Sequence, residues 1–173
     1  QLENVAKNWE QAYDAPAVKD GRIIKEEIEN GRPAGMQAFI YNTRRPVFSD
    51  PAVRKALAYA FDFEWSNRQF AFGAYIRTDS FYENSELAST KEPPSGDVLA
   101  LLEQYRGQIP DSVFTDPYLP PKTDGSGNNR RNLREAMKIL DEAGWVMGPD
   151  KVRVKDGVRL EFEILDGNPL FER

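Results

Sequence analysis

The sequence predicts an α+β fold, with helices and strands segregated along the chain rather than strictly alternating. Three observations predict it. Apolar residues recur at helical spacing after Asp50, Ser95 and Asn132; apolar and polar residues alternate over 152–165; and no internal repeat is visible. A chain of 173 residues suits one domain, 1–173, or one lobe of a larger protein. Hydrophobic residues make up 40% and charged residues 29%, a balance that supports a packed core.

The elements follow in order. Residues 4–13 read as a short helix with Val5, Trp9 and Ala12 on one side. Arg22 to Ile28 reads as a strand, broken by Gly31-Arg32-Pro33, and Met36 to Thr43 as the next, with Phe39, Ile40 and Tyr41 a short buried run. Asp50-Pro51 starts the clearest helix: Asp50 accepts from free N–H groups, and Pro51 suits the first helical position. Its stripe is Val53, Ala56, Leu57, Ala60 and Phe61, with Arg54 and Lys55 beside it. Asp62 caps a following helix carrying Trp65, Gln69 and Phe72, stopped by Gly73. Residues 74–94 are irregular and aromatic-rich.

A helix over Ser95 to Arg106 turns Val98, Leu101, Leu102 and Tyr105 inward and stops at Gly107. Residues 110–129 form a loop with four prolines and the run Asp124-Gly-Ser-Gly-Asn-Asn129. The next helix, from Asn129 or Asn132 to Ala143, carries the stripe Leu133, Ala136, Met137 and Leu140. Gly144 suits its left-handed stop and Trp145 the apolar contact beyond. Residues 152–165 form a hairpin. A three-residue loop, Lys155-Asp156-Gly157, pairs Val154 with Val158 and Val152 with Leu160, so the register argument favours it over a two-residue turn. At the far end, Asn168-Pro169 reads as another helix start, which marks the chain as a piece of a longer protein.

Charge and composition narrow the function. With 28 acidic and 23 basic groups the net charge is −5, so there is no basic excess for a phosphate backbone and nucleic acid is not an expected partner. The chain has neither Cys nor His, which removes disulfides, thiol nucleophiles, the Ser-His-Asp triad and the commonest metal ligand. Carboxylates, Lys and Tyr remain for chemistry. No apolar run approaches the roughly 18 residues of a membrane span, and no signal peptide is visible.

Four motifs bear on a site. Asp124, Ser126, Asn128 and Glu135 fall at calcium-loop positions, but Asn129 stands where that loop needs Gly, so a polar turn is preferred and no metal is expected. Glu26-Glu27, Asp62, Glu64 and Glu83 are among many carboxylates, from which no glycosidase pair is selected. Arg44-Arg45 can meet a carboxylate or form a solvated turn. The stretch Phe70-Ala-Phe-Gly-Ala-Tyr-Ile-Arg-Thr-Asp-Ser-Phe-Tyr82 crowds rings, an Arg and hydroxyls into one loop, either to bind a ligand or to anchor the loop.

The run Tyr41-Asn-Thr-Arg-Arg-Pro-Val-Phe-Ser-Asp-Pro-Ala-Val-Arg-Lys-Ala-Leu-Ala-Tyr-Ala-Phe-Asp62 resembles a signature of the family 5 solute-binding proteins of peptide and nickel ABC transporters. Asn132-Leu-Arg-Glu-Ala-Met-Lys-Ile-Leu-Asp-Glu-Ala-Gly-Trp145 resembles the family's second helix motif. Phe81-Tyr-Glu-Asn-Ser-Glu-Leu87 and the Asp-Gly-Ser-Gly-Asn-Asn loop look most like the YejA-type oligopeptide-binding branch. The resemblance implies part of a type II periplasmic-binding-protein C-terminal lobe, dipeptide-binding-protein domain 3-like, a mixed sheet with flanking helices. It implies an oligopeptide ligand captured by closure of two lobes, an ABC permease as partner, a periplasmic location, no cofactor and no catalysis. Val53, Arg54, Ala56 and Leu57 of the motif are structural on this reading. The crowded loop supplies Tyr75, Arg77, Ser80 and Tyr82 as candidate ligand neighbours, although no family motif fixes contacts there. A carboxylate-dependent hydrolase and an autonomous interaction module remain the alternatives.

Overall fold

The structure is a computed structural model that describes residues 5–167. The Asn168-Pro169 helix start lies outside the described residues, as does Asn4. In chain order the elements are α1 (Ala6–Gln11), α2 (Pro16–Lys19), α3 (Pro46–Ser49), α4 (Pro51–Ala60), α5 (Phe63–Phe70), α6 (Gly96–Glu103), α7 (Ser112–Thr115), α8 (Arg130–Glu142), β1 (Val146–Met147), β2 (Arg153–Lys155) and β3 (Val158–Arg159). They fall into two compact units: one joins the residues up to Ala38 with Asp62–Gly127, the other joins Phe39–Phe61 with the residues from Asn128 onward.

The second unit is built on cap chemistry. Asp50 Oδ1 accepts the Ala52 N–H at 2.9 Å, and Pro51 opens α4. Val53 and Ala56 are buried, and Leu57 packs beside them. Arg54 lies off this stripe, and its Nη1 donates to the last carbonyls of α3, at Phe48 and Ser49. The helix α8 packs along α4 through Ala136 and Leu140. Asn129 ties the two together: its Nδ2 donates to the carbonyls of Tyr59 (3.2 Å) and Ala60 (3.1 Å), the free end of α4.

Gly144 at φ 85° ends α8 as its sequence implied, with the Trp145 N–H returning to the Leu140 carbonyl at 2.9 Å. That turn drives the Trp145 ring into a cluster with Val47, Phe48 and Val53, where it is only 2% exposed. Burying a ring of this size is the largest single apolar contribution in the unit.

The sheet corrects two expectations. It is antiparallel throughout its three strands, in the order β1-β2-β3, not mixed. The hairpin closes through two residues, not three: Lys155 pairs with Val158 and Val154 with Arg159. Asp156 at φ 49° and Gly157 at φ 78° both take the left-handed region, the geometry of the two-residue turn whose twist matches the strands. Pairing an apolar with a polar residue is tolerated because the inward polar side chains find partners. Lys155 Nζ lies 2.8 Å from Asp50 Oδ2. Arg153 Nη1 donates to Asp141 Oδ1 at 2.6 Å and to the Trp145 carbonyl. The strand β1 was not anticipated; Gly148 to Val152 turns it onto β2.

The strands expected over 22–28 and 36–43 do not form: no ladder is assigned there among the described residues. An extended segment becomes a strand only when a neighbour takes its backbone hydrogen bonds. Ile24, Ile28 and Ile40 are 81%, 77% and 85% exposed, and Phe39, expected in a buried run, is 65% exposed.

In the first unit, Asp62 caps α5 as expected, accepting the Trp65 N–H at 3.0 Å. The helix ends earlier than read, so Phe72 lies beyond it at φ 55°. The face of α6 is corrected in part. Leu102 is half-buried as expected, but Val98, Leu101 and Tyr105 are exposed and Leu99 is half-buried instead. Apolar residues cover both sides of this helix, so spacing alone does not select the face. Phe114 of α7 is buried under the Arg106 guanidinium, 3.9 Å from its ring centre. No helix among the described residues is long and apolar enough to cross a membrane.

Asp50 binds the helix cap, the Trp145 indole and Lys155 together, so Asp50→Ala is expected to cost about 2–4 kcal/mol in a chemical melt. The Lys155 ammonium, with the Ala52 N–H and the Trp145 indole, holds the Asp50 carboxyl below its ordinary value of 3.8. A depressed carboxyl contributes stability that is present above that ordinary value and is lost as pH falls below it. Melts repeated from neutral pH to about pH 3 should therefore show a smaller acid loss for Asp50→Asn than for the wild-type chain.

Candidate functional site

The loop that the sequence singles out, and the loop around Asp124, are both held by α5 in the first unit. Asn67 fixes the exit from α5: its Oδ1 accepts the Tyr75 N–H at 3.1 Å and its Nδ2 donates to the Tyr75 carbonyl at 2.7 Å. On the same helix Arg68 donates to the carbonyls of Gly125 (3.0 Å) and Asp124 (3.2 Å). Glu64 Oε2 accepts the Thr123 N–H at 3.0 Å, and Asp62 Oδ1 accepts the Thr123 hydroxyl. Within the second loop, Asp124 Oδ1 accepts the Ser126 N–H at 2.9 Å, and the Ser126 hydroxyl, together with that N–H, holds its carboxyl below the usual range. That is a local polar turn. Among the described residues no group of three or more acidic side chains is placed to hold a metal ion.

Residues Asp79 to Lys91 form a closed loop. Lys91 Nζ meets Asp79 Oδ2 at 3.0 Å, and the Ser89 N–H donates to Ser80 Oγ at 2.6 Å, so the two ends are joined twice. The Lys91 ammonium, helped by a hydrogen bond with Glu83, holds the Asp79 carboxyl below its usual range. Ser85 Oγ donates to the Tyr82 carbonyl at 2.6 Å. Asn84 Nδ2 donates to the carbonyls of Asn30 (2.7 Å) and Arg32 (3.0 Å), and the Ala34 N–H donates to the Glu83 carbonyl at 2.7 Å. The loop is thus pinned both across its neck and onto the 30–34 segment.

Inside this frame two backbones are strained. Tyr82 has φ 61° and Asn84 φ 64°. Asn tolerates the left-handed region; an aromatic side chain there costs roughly 1–2 kcal/mol. The surrounding hydrogen bonds hold Tyr82 in place against that cost.

The four sequence candidates have different settings. Tyr75 is pinned through its main chain and 54% exposed, and Tyr82 is 58% exposed. Arg77 donates from Nη1 to the Pro121 carbonyl and sits 5.7 Å from the centre of the Phe63 ring. Ser80 is buried, its hydroxyl donating to the Phe81 carbonyl at 2.8 Å while accepting from Ser89. So two present rings outward and two hold the loop's shape. Arg44 Nε donates to Asn42 Oδ1 at 3.3 Å, and Arg45 Nη2 lies 3.9 Å from Glu163 Oε1, far along the chain. Sequence reasoning missed Asn67, Asp79, Asn84 and Lys91 as the frame. Their partners lie 8 to 54 residues away in the chain, and no local pattern announces such pairs.

Comparison with known proteins gives the chain its relatives. The family model described as bacterial extracellular solute-binding proteins, family 5 Middle, matches residues 2–172. A protein of Agrobacterium fabrum named probable peptide-binding protein YejA is 44% identical over 97% of this chain and 28% of its own length. The uncharacterized protein YejA of Escherichia coli K12 is 40% identical over 95% of this chain and 27% of its own. A second Agrobacterium fabrum protein, named peptidoglycan-binding protein YepA, is 39% identical over 96% of this chain and 27% of its own. The chain therefore spans roughly a quarter, 26% to 28%, of the length of the curated relatives it matches.

At Gly127 φ is +81°, and an added Cβ would stand 2.9 Å from the Trp65 ring. Gly127→Ala is expected to cost about 1–3 kcal/mol and to shift the tryptophan fluorescence, read together in a thermal melt.

Proposed function

The chain belongs to family 5 of the bacterial extracellular solute-binding proteins, and on that premise we propose that it is part of a receptor that captures oligopeptides for an ABC permease. Membership of the family carries a substrate-binding role. The finer reading is supported by the relative named as a peptide-binding protein, the most identical of the three above at 44%. On this reading the chain belongs to the C-terminal lobe of a two-lobed, type II periplasmic binding protein and works outside the cytoplasmic membrane.

Capture follows from closure. Two lobes shut on the ligand, and the closed form is what the permease meets. The peptide's main-chain groups lose water on closure and need protein partners, while water in the side-chain pockets keeps sequence preference weak. Tyr75 and Tyr82 are the proposed contacts, with Arg77 and Ser80 shaping the loop that carries them. Because closure needs both lobes, the isolated chain should bind peptides far more weakly than its parent, as calorimetric titration of each with a mixed peptide pool would measure.

A second reading, capture of cell-wall fragments, is favoured by the relative named as a peptidoglycan-binding protein. Native mass spectrometry of the full-length parent separates the two. A spread of adducts that fragment as plain peptides supports the oligopeptide receptor. Adducts carrying amino sugars move the assignment to cell-wall fragments. A parent that carries no adduct and binds no added peptide sinks the reading.

A further inference from the structure

Asn30 is the asparagine of the sequence that glycine follows. Asn30, Gly31 and Arg32 are exposed and lie outside any helix or strand. Asn30 Oδ1 accepts the Arg32 N–H at 3.1 Å, a turn that folds the side chain back along the Gly31 peptide unit. The carbonyl of that unit accepts from Asn84 Nδ2 at 2.7 Å, and the same Nδ2 holds the Arg32 carbonyl at 3.0 Å. These hydrogen bonds polarise two groups that can react with each other. A donor on the Asn30 main-chain carbonyl makes the Gly31 N–H more acidic. The Arg32 N–H donates to the oxygen on which negative charge develops when the side-chain amide is attacked.

We propose that Asn30 is a site of spontaneous deamidation, and that isoaspartate formed there loosens the 79–91 loop from the 30–34 segment. Hydroxide removes the Gly31 N–H proton, and the nitrogen attacks Asn30 Cγ. A cyclic imide forms, the Cγ–Nδ2 bond breaks, and ammonia leaves with a proton from water, which restores the hydroxide. Water then opens the imide at either carbonyl, giving aspartate or isoaspartate. Isoaspartate carries the backbone through Cβ, so the two carbonyls that Asn84 holds together lose their spacing. Related turns elsewhere lack one requirement each. Asn42 Oδ1 accepts the Arg44 N–H at 3.2 Å in the same way, but the branched Thr43 crowds the attacking nitrogen. Asp20 and Asp124 precede glycines and make the same turn, but the Arg22 guanidinium and the Ser126 hydroxyl hold their carboxyls below the usual range, and a carboxylate resists this attack.

The test ages the folded full-length parent in mildly alkaline buffer and maps its peptides by mass spectrometry, with isoaspartate resolved from aspartate by elution. Asn30 should deamidate about tenfold faster than Asn42. Gly31→Ala supplies the control. Gly31 lies outside the left-handed region, and an added Cβ there would meet no atom within 4 Å, so the variant should keep its Tm. Its methyl group hinders the nitrogen, and deamidation at Asn30 should fall about tenfold. In the aged wild-type parent, molecules with isoaspartate at 30 should exchange the amide hydrogens of 82–88 faster than fresh protein does. Asn30 left intact while Asn42 deamidates would overturn the inference, as would an equal rate in Gly31→Ala. Isoaspartate at 30 with unchanged exchange over 82–88 would overturn its link to the loop. None of these outcomes depends on what the parent binds.

Discussion

One carboxylate organises the second unit. Asp50 accepts from the Ala52 N–H, the Trp145 indole Nε1 at 3.0 Å and the Lys155 ammonium at 2.8 Å. The three partners belong to the first turn of α4, the turn after α8 and the strand β2. A buried indole N–H needs an acceptor, and a half-buried ammonium on the inner side of a sheet needs a counter-charge. Asp50 satisfies both with the side chain that also starts the helix. The apolar cluster around Trp145 and Val53 then forms around a hydrogen-bonded centre. Arg153 repeats the arrangement on the same strand, joining Asp141 of α8 to the Trp145 carbonyl.

The first unit follows a different rule. It has few fully buried side chains, and its loops are held largely by hydrogen bonds to main-chain carbonyl and N–H groups. The helix α5 works as a bracket: Asn67 grips the segment at Tyr75, and Arg68, Glu64 and Asp62 grip the segment from Thr123 to Gly125. Main-chain anchoring of this kind fixes where a loop goes and leaves its side chains free for other uses. Several of the chain's carboxylates are taken up in caps and ion pairs, as those of Asp50, Asp62 and Asp141 are. Binding is the activity its family carries.

What was legible in the sequence was what is encoded locally. Asp50-Pro51, Asp62 and Gly144-Trp145 each declare a helix end within a few residues, and the structure places those ends where the cap chemistry requires. The family signature was legible for the same reason, being made of those helix starts and stripes. The hairpin register was not, because Lys155 is acceptable on an inner face only once Asp50, 105 residues earlier, is known to lie beside it. The face of α6 was ambiguous, with apolar residues on both sides. The stretches at 22–28 and 36–43 have strand composition, but composition cannot supply the neighbour that a ladder needs. Within the candidate site, the exposed rings stood out as an aromatic-rich stretch. The left-handed backbone of Tyr82 had no signal, since Gly and Asn are the residues that normally mark it.

Both units are assembled from stretches that are far apart in the chain, and this sets an order of events during synthesis. Phe39–Phe61 leaves the ribosome early, yet the residues that complete its core begin at Asn128. Until then α4 exists with its cap but without α8, and Val53 has no Trp145 to pack against. Asp62–Gly127 emerges in the interval and finds its own earlier partners, the residues up to Ala38, already present. The unit that joins the residues up to Ala38 with Asp62–Gly127 can therefore close first. Closing the other requires a long excursion of chain to return, an entropic cost that slows folding more than it weakens the finished structure. During that wait the stripe of α4 is exposed apolar surface on a nascent chain, the kind that chaperones cover.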